Sequence, residues 1–430
     1  MGLMLNETLD YLYGLERFGI KLGLDVIEQI MASLGNPHQS FKSVHVAGTN
    51  GKGSTCAFVA RVLQEAGYTV GLYTSPHLVR FNERICINGE EITDHELIYF
   101  TDIIRKKIEE KGIQPTFFEF TTALAFLYFA HKHVDIAVVE VGMGGRLDAT
   151  NIIQPLVSVI TNISLDHMEH LGKTVSQIAR EKAGIIKPGC LVVTAEKNPR
   201  VVKYFKQVCA ERNVELLLLH EQLRATVLEA NLEHQKFDVS GAVEDTYTIP
   251  LLGAHQIVNA CTALLVLRSL EKRGFSISPF IIKKGLEATA WAGRLDLVSY
   301  NPLVLVDGAH NVAGIKALCD FLRTLEHRKV LVIAIANDKD RECMLQMIVP
   351  LFEEVIVTQG HFKPTPADVL ADDARAYSSH VREIPGVGDA IEIALSIAAK
   401  EDTVLFTGSL YMIGDVLAIL RKKMKVHAPL

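Results

Sequence analysis

The stretch that decides the fold of this chain is Ser43-Val44-His45-Val46-Ala47-Gly48-Thr49-Asn50-Gly51-Lys52-Gly53-Ser54-Thr55. A short β-branched run enters a glycine-rich loop, and a helical pattern follows. This is the context of a phosphate-binding loop, in which backbone N–H groups and the positive end of a helix face phosphate oxygens. Lys52 supplies a mobile positive charge, and Ser54 or Thr55 supplies a hydroxyl for magnesium. Gly53 separates Lys52 from Ser54, which departs from the G-x-x-x-x-G-K-[ST] spacing, and a plain glycine-rich turn is the alternative interpretation.

Strand and helix patterns alternate outward from this loop. One helix is predicted from Thr55 to Ala66, before Gly67, and a buried helix from Glu119 to His131. The short apolar runs predicted as strands are residues 43–47, 68–73, 136–141, 156–161, 303–307, 330–335, 354–357 and 404–407. This alternation predicts an α/β fold with a mostly parallel sheet that is covered by helices.

The chain is long enough for two domains. Its 430 residues exceed the usual size of one domain, and the strand–helix pattern restarts after Arg294. Pro302 disfavours helix at the residue before it, so residues 299–302 are the best boundary. We therefore predict an N-terminal P-loop ATPase-type domain at 1–296 and a smaller α/β domain at 297–430.

Composition restricts the partners and the compartment. Hydrophobic residues make up 49% and charged residues 22%, as in an ordinary soluble protein with a sizeable core. A net charge of −6 favours neither nucleic acid nor an anionic membrane as a partner. The seven cysteines include no CxxC pair, which argues against a disulfide framework or a cysteine zinc site. The N-terminus lacks a signal-peptide pattern, and no apolar run reaches the roughly 20 residues of a membrane helix, so we expect a cytoplasmic protein.

Three polar segments follow predicted strands. They are residues 73–78, with Arg84 close behind, residues 139–151 and residues 161–167. Ligands bind beyond the carboxyl ends of parallel strands, so we expect these segments to meet beside the phosphate loop. Glu140 ends a buried strand, where a carboxylate is costly unless a cation neutralises it. A divalent metal that bridges nucleotide phosphates would do so, and a solvent-facing glutamate is the alternative.

Eight blocks of the chain occur in one order: residues 48–55, 74–78, 140–151, 166–167 and 181–185, His255-Gln256 with Asn259, and residues 307–311 and 408–411. Together they resemble the folylpolyglutamate synthases, including the form that is also a dihydrofolate synthase, within the Mur ligase superfamily. The similarity extends from Gly19-Ile20-Lys21-Leu22-Gly23-Leu24 to Tyr411. It implies an ATP-binding N-terminal domain, a Rossmann-like C-terminal domain that binds glutamate, and an active site in the cleft between them.

The resemblance assigns roles to individual residues. The catalytic positions would be Lys52, Glu140, His167, Lys182 and His310. The nucleotide contacts would be Thr49, Asn50, Gly51, Lys52, Gly53, Ser54, Thr55, Asn259, Arg294 and Asp307. The first of two magnesium ions would be held by Ser54, and the second by Ser75, Glu140 and His167, a set that also accepts manganese. The substrate contacts would be Ser75, Pro76, His77, Arg84, Phe118, Asp148, Ala149, Asp307 and His310.

Three of these roles have alternatives. The family's lysine at position 182 is typically carbamylated, which requires a neutral amine, whereas the residues alone suggest an ordinary surface lysine. Phe118 would stack on a flat ring or simply belong to the core. His310 would orient or deprotonate an amine, or else bind glutamate.

The resemblance implies ATP-dependent ligation of L-glutamate to the γ-carboxylate of folates through an acyl phosphate. Dihydropteroate is a second acceptor to be tested. The expected partners are ATP, L-glutamate and a reduced folate or dihydropteroate, without nucleic acid or membrane, and we expect a monomer. Only 47 residues precede Gly48, too few for a separate uridine-binding domain, which disfavours a Mur-type ligase acting on a UDP-linked precursor. A P-loop NTPase that uses hydrolysis as a conformational switch remains the alternative from another class.

Overall fold

The structure is a computed structural model that describes residues 2–19 and 21–424. Ile20, within the block that begins at Gly19, lies outside the described residues, as do Met1 and residues 425–430 at the ends of the two predicted domains. Among the residues described, no helix is both long and apolar enough to cross a membrane.

The phosphate loop leaves the middle of an eight-stranded sheet. The strands are β1 (Lys42–Ala47), β2 (Val70–Tyr73), β3 (Ile85–Ile87), β4 (Glu90–Glu91), β5 (Ile136–Glu140), β6 (Val157–Ile160), β7 (Leu191–Thr194) and β8 (Leu216–Leu218). Their spatial order is β4-β3-β2-β5-β1-β6-β7-β8, and only the β2–β3 and β3–β4 pairs are antiparallel. The predicted, mostly parallel sheet is therefore confirmed, with an antiparallel extension at one edge.

Helices cover both faces of this sheet. They are α1 (Gly2–Gly14), α2 (Asp25–Ser33), α3 (Lys52–Glu65), α4 (Asp94–Lys111), α5 (Phe117–His131), α6 (Met168–Leu171), α7 (Val175–Lys182), α8 (Pro199–Glu211), α9 (Leu219–Gln222), α10 (Ala254–Glu271) and α11 (Pro279–Glu287). Helix α3 begins at Lys52, three residues before the predicted start, because the end of the phosphate loop already forms its first turn. Short 3₁₀ helices lie at Leu15–Phe18, Pro37–Gln39, Phe81–Arg84, Ala149–Ile152 and Ala183–Ile185.

The alternating side chains of the strands explain the layers. Val44 and Val46 of β1 pack with α3 and α10 in one apolar cluster. Ala137 and Val139 of β5 pack with α4 and α5 in a cluster on the opposite face. Both strands are buried on both faces, as parallel sheets covered by helices require, and each fully buried Val contributes about 1.5–3 kcal/mol.

A three-stranded antiparallel sheet follows, which the pattern of apolar runs in the sequence does not predict. Its strands are β9 (Leu223–Ala230), β10 (Gln235–Gly241) and β11 (Asp245–Ile249), in the order β11-β10-β9. Phe237, Val239, Tyr247 and Ile249 pack against the cluster that contains α3 and α10. The small sheet thus caps one side of the phosphate-loop helix layer.

A second, six-stranded sheet begins at Asp296. Its strands are β12 (Asp296–Tyr300), β13 (Leu303–Val306), β14 (Lys329–Ile333), β15 (Glu354–Val357), β16 (Val381–Glu383) and β17 (Thr403–Thr407), in the order β12-β13-β17-β14-β15-β16. The accompanying helices are α12 (Val312–Leu322), α13 (Arg341–Ile348), α14 (Ala367–Arg375), α15 (Val387–Ile397) and α16 (Leu410–Met424), with a 3₁₀ turn at Val349–Leu351. The four predicted strands are present, and the two edge strands β12 and β16 were not predicted.

Candidate active site

Glycines shape the phosphate loop where neighbouring chain approaches it closely. Gly51 has a φ of 83° and immediately precedes α3. A Cβ on Gly48 would lie 1.7 Å from Thr161 Oγ1, and a Cβ on Gly51 would lie 2.4 Å from Asn259 Oδ1. The loop therefore fits between the end of β6 and helix α10 only with glycine at these two positions.

The segment after β6 holds the loop in place. Asn162 accepts hydrogen bonds from two loop amides, through its carbonyl from Thr49 N at 2.9 Å and through Oδ1 from Asn50 N at 3.0 Å. Thr161 Oγ1 donates to Asn50 O at 2.7 Å. These hydrogen bonds hold the loop in one conformation before a ligand binds, which favours tight binding of phosphate groups.

Lys52 and Glu140 lie together at the carboxyl ends of β1 and β5. Lys52 Nζ donates to Thr49 O at 3.2 Å and lies 3.9 Å from Glu140 Oε1. The other carboxylate oxygen of Glu140 accepts a hydrogen bond from Ser75 N at 3.1 Å. Burial raises the pKa of Glu140, while Lys52 and this N–H oppose the rise. Lys52, at 3.9 Å, neutralises the buried Glu140 carboxylate only in part. A second cation beside Glu140 would therefore stabilise its charged form.

His167 follows β6 and borders the cleft. It has a φ of 49° at the start of α6, and its side chain remains open to solvent. Surrounding protein lowers the pKa of His167 to about 4, with Lys339 and Lys52 acting in the same direction against Asp166. A lowered pKa favours the neutral imidazole, which is the form that can ligate a metal.

The predicted metal ligands form a mixed set of oxygen and nitrogen donors. No group of three or more His, Cys, Asp or Glu in the described part of the chain is arranged to hold a metal ion. Ser75, Glu140 and His167 include two such residues, so phosphate oxygens would have to complete the coordination. Ser54 and Thr55 are both buried in the first turn of α3, and Thr55 Oγ1 has no hydrogen-bond partner among the described residues. These donors fit magnesium bound to a nucleotide.

Lys182 lies beneath the phosphate loop rather than on the surface. It is buried, and its Nζ donates to Gly48 O at 2.8 Å. Burial lowers the pKa of Lys182 to about 7, and the positive charge of Lys52 acts in the same direction. The interpretation of an ordinary surface lysine is therefore wrong.

Asp166 connects the two sheets across the cleft. Its carboxylate accepts hydrogen bonds from Lys339 Nζ at 2.7 Å and Asn311 Nδ2 at 3.0 Å, and it lies 3.6 Å from His310 Nε2. Burial alone would raise the pKa of Asp166, but His310, His167 and Lys339 hold it well below its usual range. No sequence pattern marks Lys339 as a partner of Asp166, because 173 residues separate the two in the chain.

The side chains of the predicted nucleotide contacts outside the loop make different hydrogen bonds within the protein. Asn259 Nδ2 donates to Gln256 Oε1 at 3.0 Å, so the Asn259 side chain is held beside Gly51. Arg294 Nη1 donates to Gly293 O at 3.2 Å. Asp307 accepts hydrogen bonds through both oxygens, from Leu295 N and Ala309 N at 2.9 Å each. Asp307 therefore shapes the adjoining backbone, and its predicted contacts to nucleotide and glutamate stay predictions.

One of the predicted folate contacts, Arg84, is a buried arginine. Arg84 Nε donates to His77 Nδ1 at 2.7 Å, and its guanidinium lies over the Phe117 ring, 5.2 Å from the centroid. Among the described residues, no carboxylate lies within 4.0 Å of the buried Arg84 guanidinium. The residues Ser75 and Pro76 are joined by a cis peptide bond next to His77.

The loop after β5 is held by Asp148. Its carboxylate accepts hydrogen bonds from Met143 N at 2.8 Å and from Thr150 N at 3.0 Å. Ala149 is buried beside it, and a Cβ on Gly142 would lie 2.3 Å from the Phe118 ring. Asp148 is thus engaged within the loop, while Phe118 covers the first residues after Glu140.

Family models and known proteins match nearly the whole chain. The model described as the Mur ligase middle domain matches residues 46–267, and the one described as the Mur ligase, glutamate ligase domain matches residues 293–410. The dihydrofolate synthase/folylpolyglutamate synthase of Bacillus subtilis is 38% identical over 98% of this chain and 99% of its own.

The fold is also similar to solved structures of this group of enzymes. A Mycobacterium tuberculosis folylpolyglutamate synthase complexed with ADP and AMPPCP has a TM-score of 0.89 at 30% identity, covering 97% of this chain and 99% of that chain. The E. coli FolC in complex with DHPP and ADP has a TM-score of 0.86 at 30% identity, covering 97% of this chain and 98% of that chain.

Proposed function

Because this chain belongs to the Mur ligase family, in its branch of folylpolyglutamate and dihydrofolate synthases, we propose that it ligates L-glutamate to the γ-carboxylate of folates with ATP. The observation that carries the proposal is the convergence of Lys52 and the buried Glu140 beside a preorganised phosphate loop. Arg84 and Phe118 lie on the neighbouring segments. The DHPP in the E. coli relative supports a pterin acceptor, and dihydropteroate is a second acceptor to be tested.

A phosphate loop beside an acceptor site suits the joining of a carboxylate to an amine. A carboxylate does not react with an amine in water, because hydroxide is a poor leaving group. Transfer of the γ-phosphoryl group of ATP to the carboxylate gives an acyl phosphate, from which phosphate leaves. Lys52 and the loop amides stabilise negative charge on the transferring group. The amine of glutamate then attacks, and the tetrahedral intermediate collapses to an amide. Closure of the second domain over the site would exclude water, which would otherwise hydrolyse the acyl phosphate.

Magnesium belongs to this proposal as the nucleotide's counterion. Ser54 would hold one ion, and Ser75, Glu140 and His167 would hold a second, with manganese as an acceptable substitute. The ions would supply charge neutralisation during phosphoryl transfer. Glu140 is buried and its carboxylate lies 3.9 Å from Lys52 Nζ, so a metal ion beside it would help to neutralise a charge that is costly to bury.

His310 is proposed to bind glutamate or to orient or deprotonate its amine. Its Nδ1 lies 2.8 Å from Gly308 O, and Nε2 lies 3.6 Å from Asp166. The Gly308 carbonyl can only accept, so Nδ1 donates to it, whereas the 3.6 Å between Nε2 and Asp166 exceeds hydrogen-bond distance. This geometry is compatible with both predicted roles, which are binding glutamate and orienting or deprotonating its amine.

The buried Arg84 supports an acceptor site for anionic or carbonyl groups. Its guanidinium has His77 and the Phe117 face as neighbours, an arrangement that orients the charge without neutralising it. A buried guanidinium is stabilised when a carboxylate or polarised carbonyl pairs with it. We assign this role to the folate acceptor, with Pro76, Ala149 and Phe118 as neighbouring contacts.

We further propose a division of the chain at 296/297, a monomer, and action in the cytoplasm. The glutamate-ligase model begins at residue 293 and the second sheet at Asp296, which supports a boundary within a few residues of this position.

Lys182 is predicted to act as a carbamate. Its lowered pKa of about 7 means that the neutral amine, the form that reacts with carbon dioxide, becomes the major form as the pH rises through about 7. We expect turnover to rise over the same interval when bicarbonate is present. We expect Lys182→Ala to lower turnover on the order of tenfold to a hundredfold, the range for groups that orient metal ligands. Formate should restore part of this loss by supplying a carboxylate. Formate without effect on Lys182→Ala would contradict the carbamate.

Substrate dependence separates the ligase from a nucleotide switch. The ligase's ATP turnover should require both the folate acceptor and L-glutamate, measured as phosphate release with each omitted in turn. Hydrolysis that is equally fast without either compound would support the switch and reject the ligase.

A further inference from the structure

Gly53, the glycine that makes the phosphate loop unusual, is not required by its backbone conformation. It is the second residue of α3, and its φ lies outside the left-handed range. Alanine is the better helix former at such a position. Another constraint must therefore exclude a side chain here.

That constraint is the indole of Trp291, the chain's one tryptophan. A Cβ on Gly53 would lie 2.9 Å from Trp291 Nε1, 3.0 Å from Cζ2 and 3.1 Å from Cε2. Trp291 also packs against the apolar cluster that contains α3 and α10, so the ring has little freedom to withdraw. The indole thus occupies the space that a side chain at position 53 would need.

Trp291 begins a short linker, residues 291–295, that contacts the second sheet's loops. Gly293 O accepts a hydrogen bond from Gly308 N at 2.9 Å, and Leu295 N donates to Asp307 at 2.9 Å. A Cβ on Gly293 would lie 2.9 Å from Ile413 and 3.0 Å from Leu78. The linker therefore contacts the phosphate loop, the segment after β2 and the second domain within a few residues.

We propose that Trp291 is a positioning residue that couples a nucleoside triphosphate on the phosphate loop to the placement of the linker and of the second domain. A shift of the first turn of α3 moves the indole, and the indole moves the backbone that carries Arg294. The inference deepens the proposed function and rests on it only for the nucleotide.

A double-mutant cycle tests the contact. The variants are Gly53→Ala, Trp291→Leu and the double variant, and the readout is the Kd for the magnesium complex of AMPPCP by calorimetry, with thermal unfolding measured in parallel. Gly388→Ala is the matched control, because Gly388 is also the second residue of a helix and a Cβ there meets nothing within 4 Å.

We expect Gly53→Ala to weaken AMPPCP binding roughly tenfold in the unaltered background, as overpacking against a fixed ring should. In the Trp291→Leu background, Gly53→Ala should raise the Kd for AMPPCP less than about twofold, because the ring that the new methyl group would meet is gone. If the two positions were independent, Gly53→Ala would raise the Kd equally in both backgrounds. Gly388→Ala should leave binding unchanged. If Gly53→Ala raised the Kd for AMPPCP equally in both backgrounds, the proposed role of the contact between Gly53 and Trp291 would be wrong.

Tryptophan emission tests the coupling without any variant. Because the chain has one tryptophan, emission reports Trp291 alone. We expect emission to change on addition of AMPPCP with magnesium and to follow the calorimetric Kd. Binding by calorimetry with constant emission would overturn the coupling and leave the proposed function intact, whereas absence of binding would reject both.

Discussion

Lys52→Met is expected to slow acceptor-dependent ATP turnover roughly a thousandfold or more, within the range for a cation placed on a transferring phosphoryl group. Lys52 is the loop's own cation, and it lies 3.9 Å from Glu140 Oε1. Methionine keeps the length of the side chain and removes the charge. The measurement is steady-state phosphate release with folate and glutamate present, together with the unfolding temperature.

Lys42→Met is the matched control for this prediction. Lys42 is an exposed residue at the opposite end of the same strand β1. The identical substitution there should leave turnover within about twofold, as surface changes usually do. Comparable losses in both variants would show that the charge of Lys52 has no special role in phosphoryl transfer.

Glu140→Gln and His167→Ala are expected to retain the fold and to lose acyl phosphate formation. Gln can still accept the Ser75 N–H but cannot neutralise a metal ion, and Ala removes the imidazole altogether. Loss of a metal ligand should reduce turnover by at least about a hundredfold. That is the upper end of the loss seen when a residue that only hydrogen-bonds a metal ligand is removed. The acyl phosphate is measured by trapping it with hydroxylamine in the absence of glutamate.

Two neighbours provide controls for the metal prediction. Glu169 and His170 are exposed on the short helix α6, immediately after His167. Glu169→Gln and His170→Ala change the same chemical groups without removing a predicted ligand, so trapping should remain near normal. Near-normal trapping in Glu140→Gln and His167→Ala would remove the second-magnesium assignment.

The parallel sheet and the meeting of the polar segments beside the phosphate loop were predictable from sequence because their signals are local. Buried parallel strands read as apolar runs, and the polar segments after β1, β2, β5 and β6 meet because the carboxyl ends of parallel strands share one edge. Residues such as Lys52 and Glu140 therefore come together by topology alone.

The contacts that were missed depend on long-range packing. In β9 seven of eight residues are exposed, so no apolar run marks it, although the alternation of Gln235, Phe237 and Val239 in β10 is a period-two signal. No local pattern relates Lys339 to Asp166 or Trp291 to Gly53. Asp148 was predicted as a substrate contact from the family resemblance, and its hydrogen bonds within the loop become visible only in the fold.

The most direct test of the proposed ligase is mass analysis of the products formed from ATP, L-glutamate and either a reduced folate or dihydropteroate. We predict a folate lengthened by glutamate residues, with one ATP consumed for each residue added. A dihydrofolate product from dihydropteroate would establish the second acceptor. Unchanged acceptors together with continued ATP consumption would contradict the assignment as a folate–glutamate ligase.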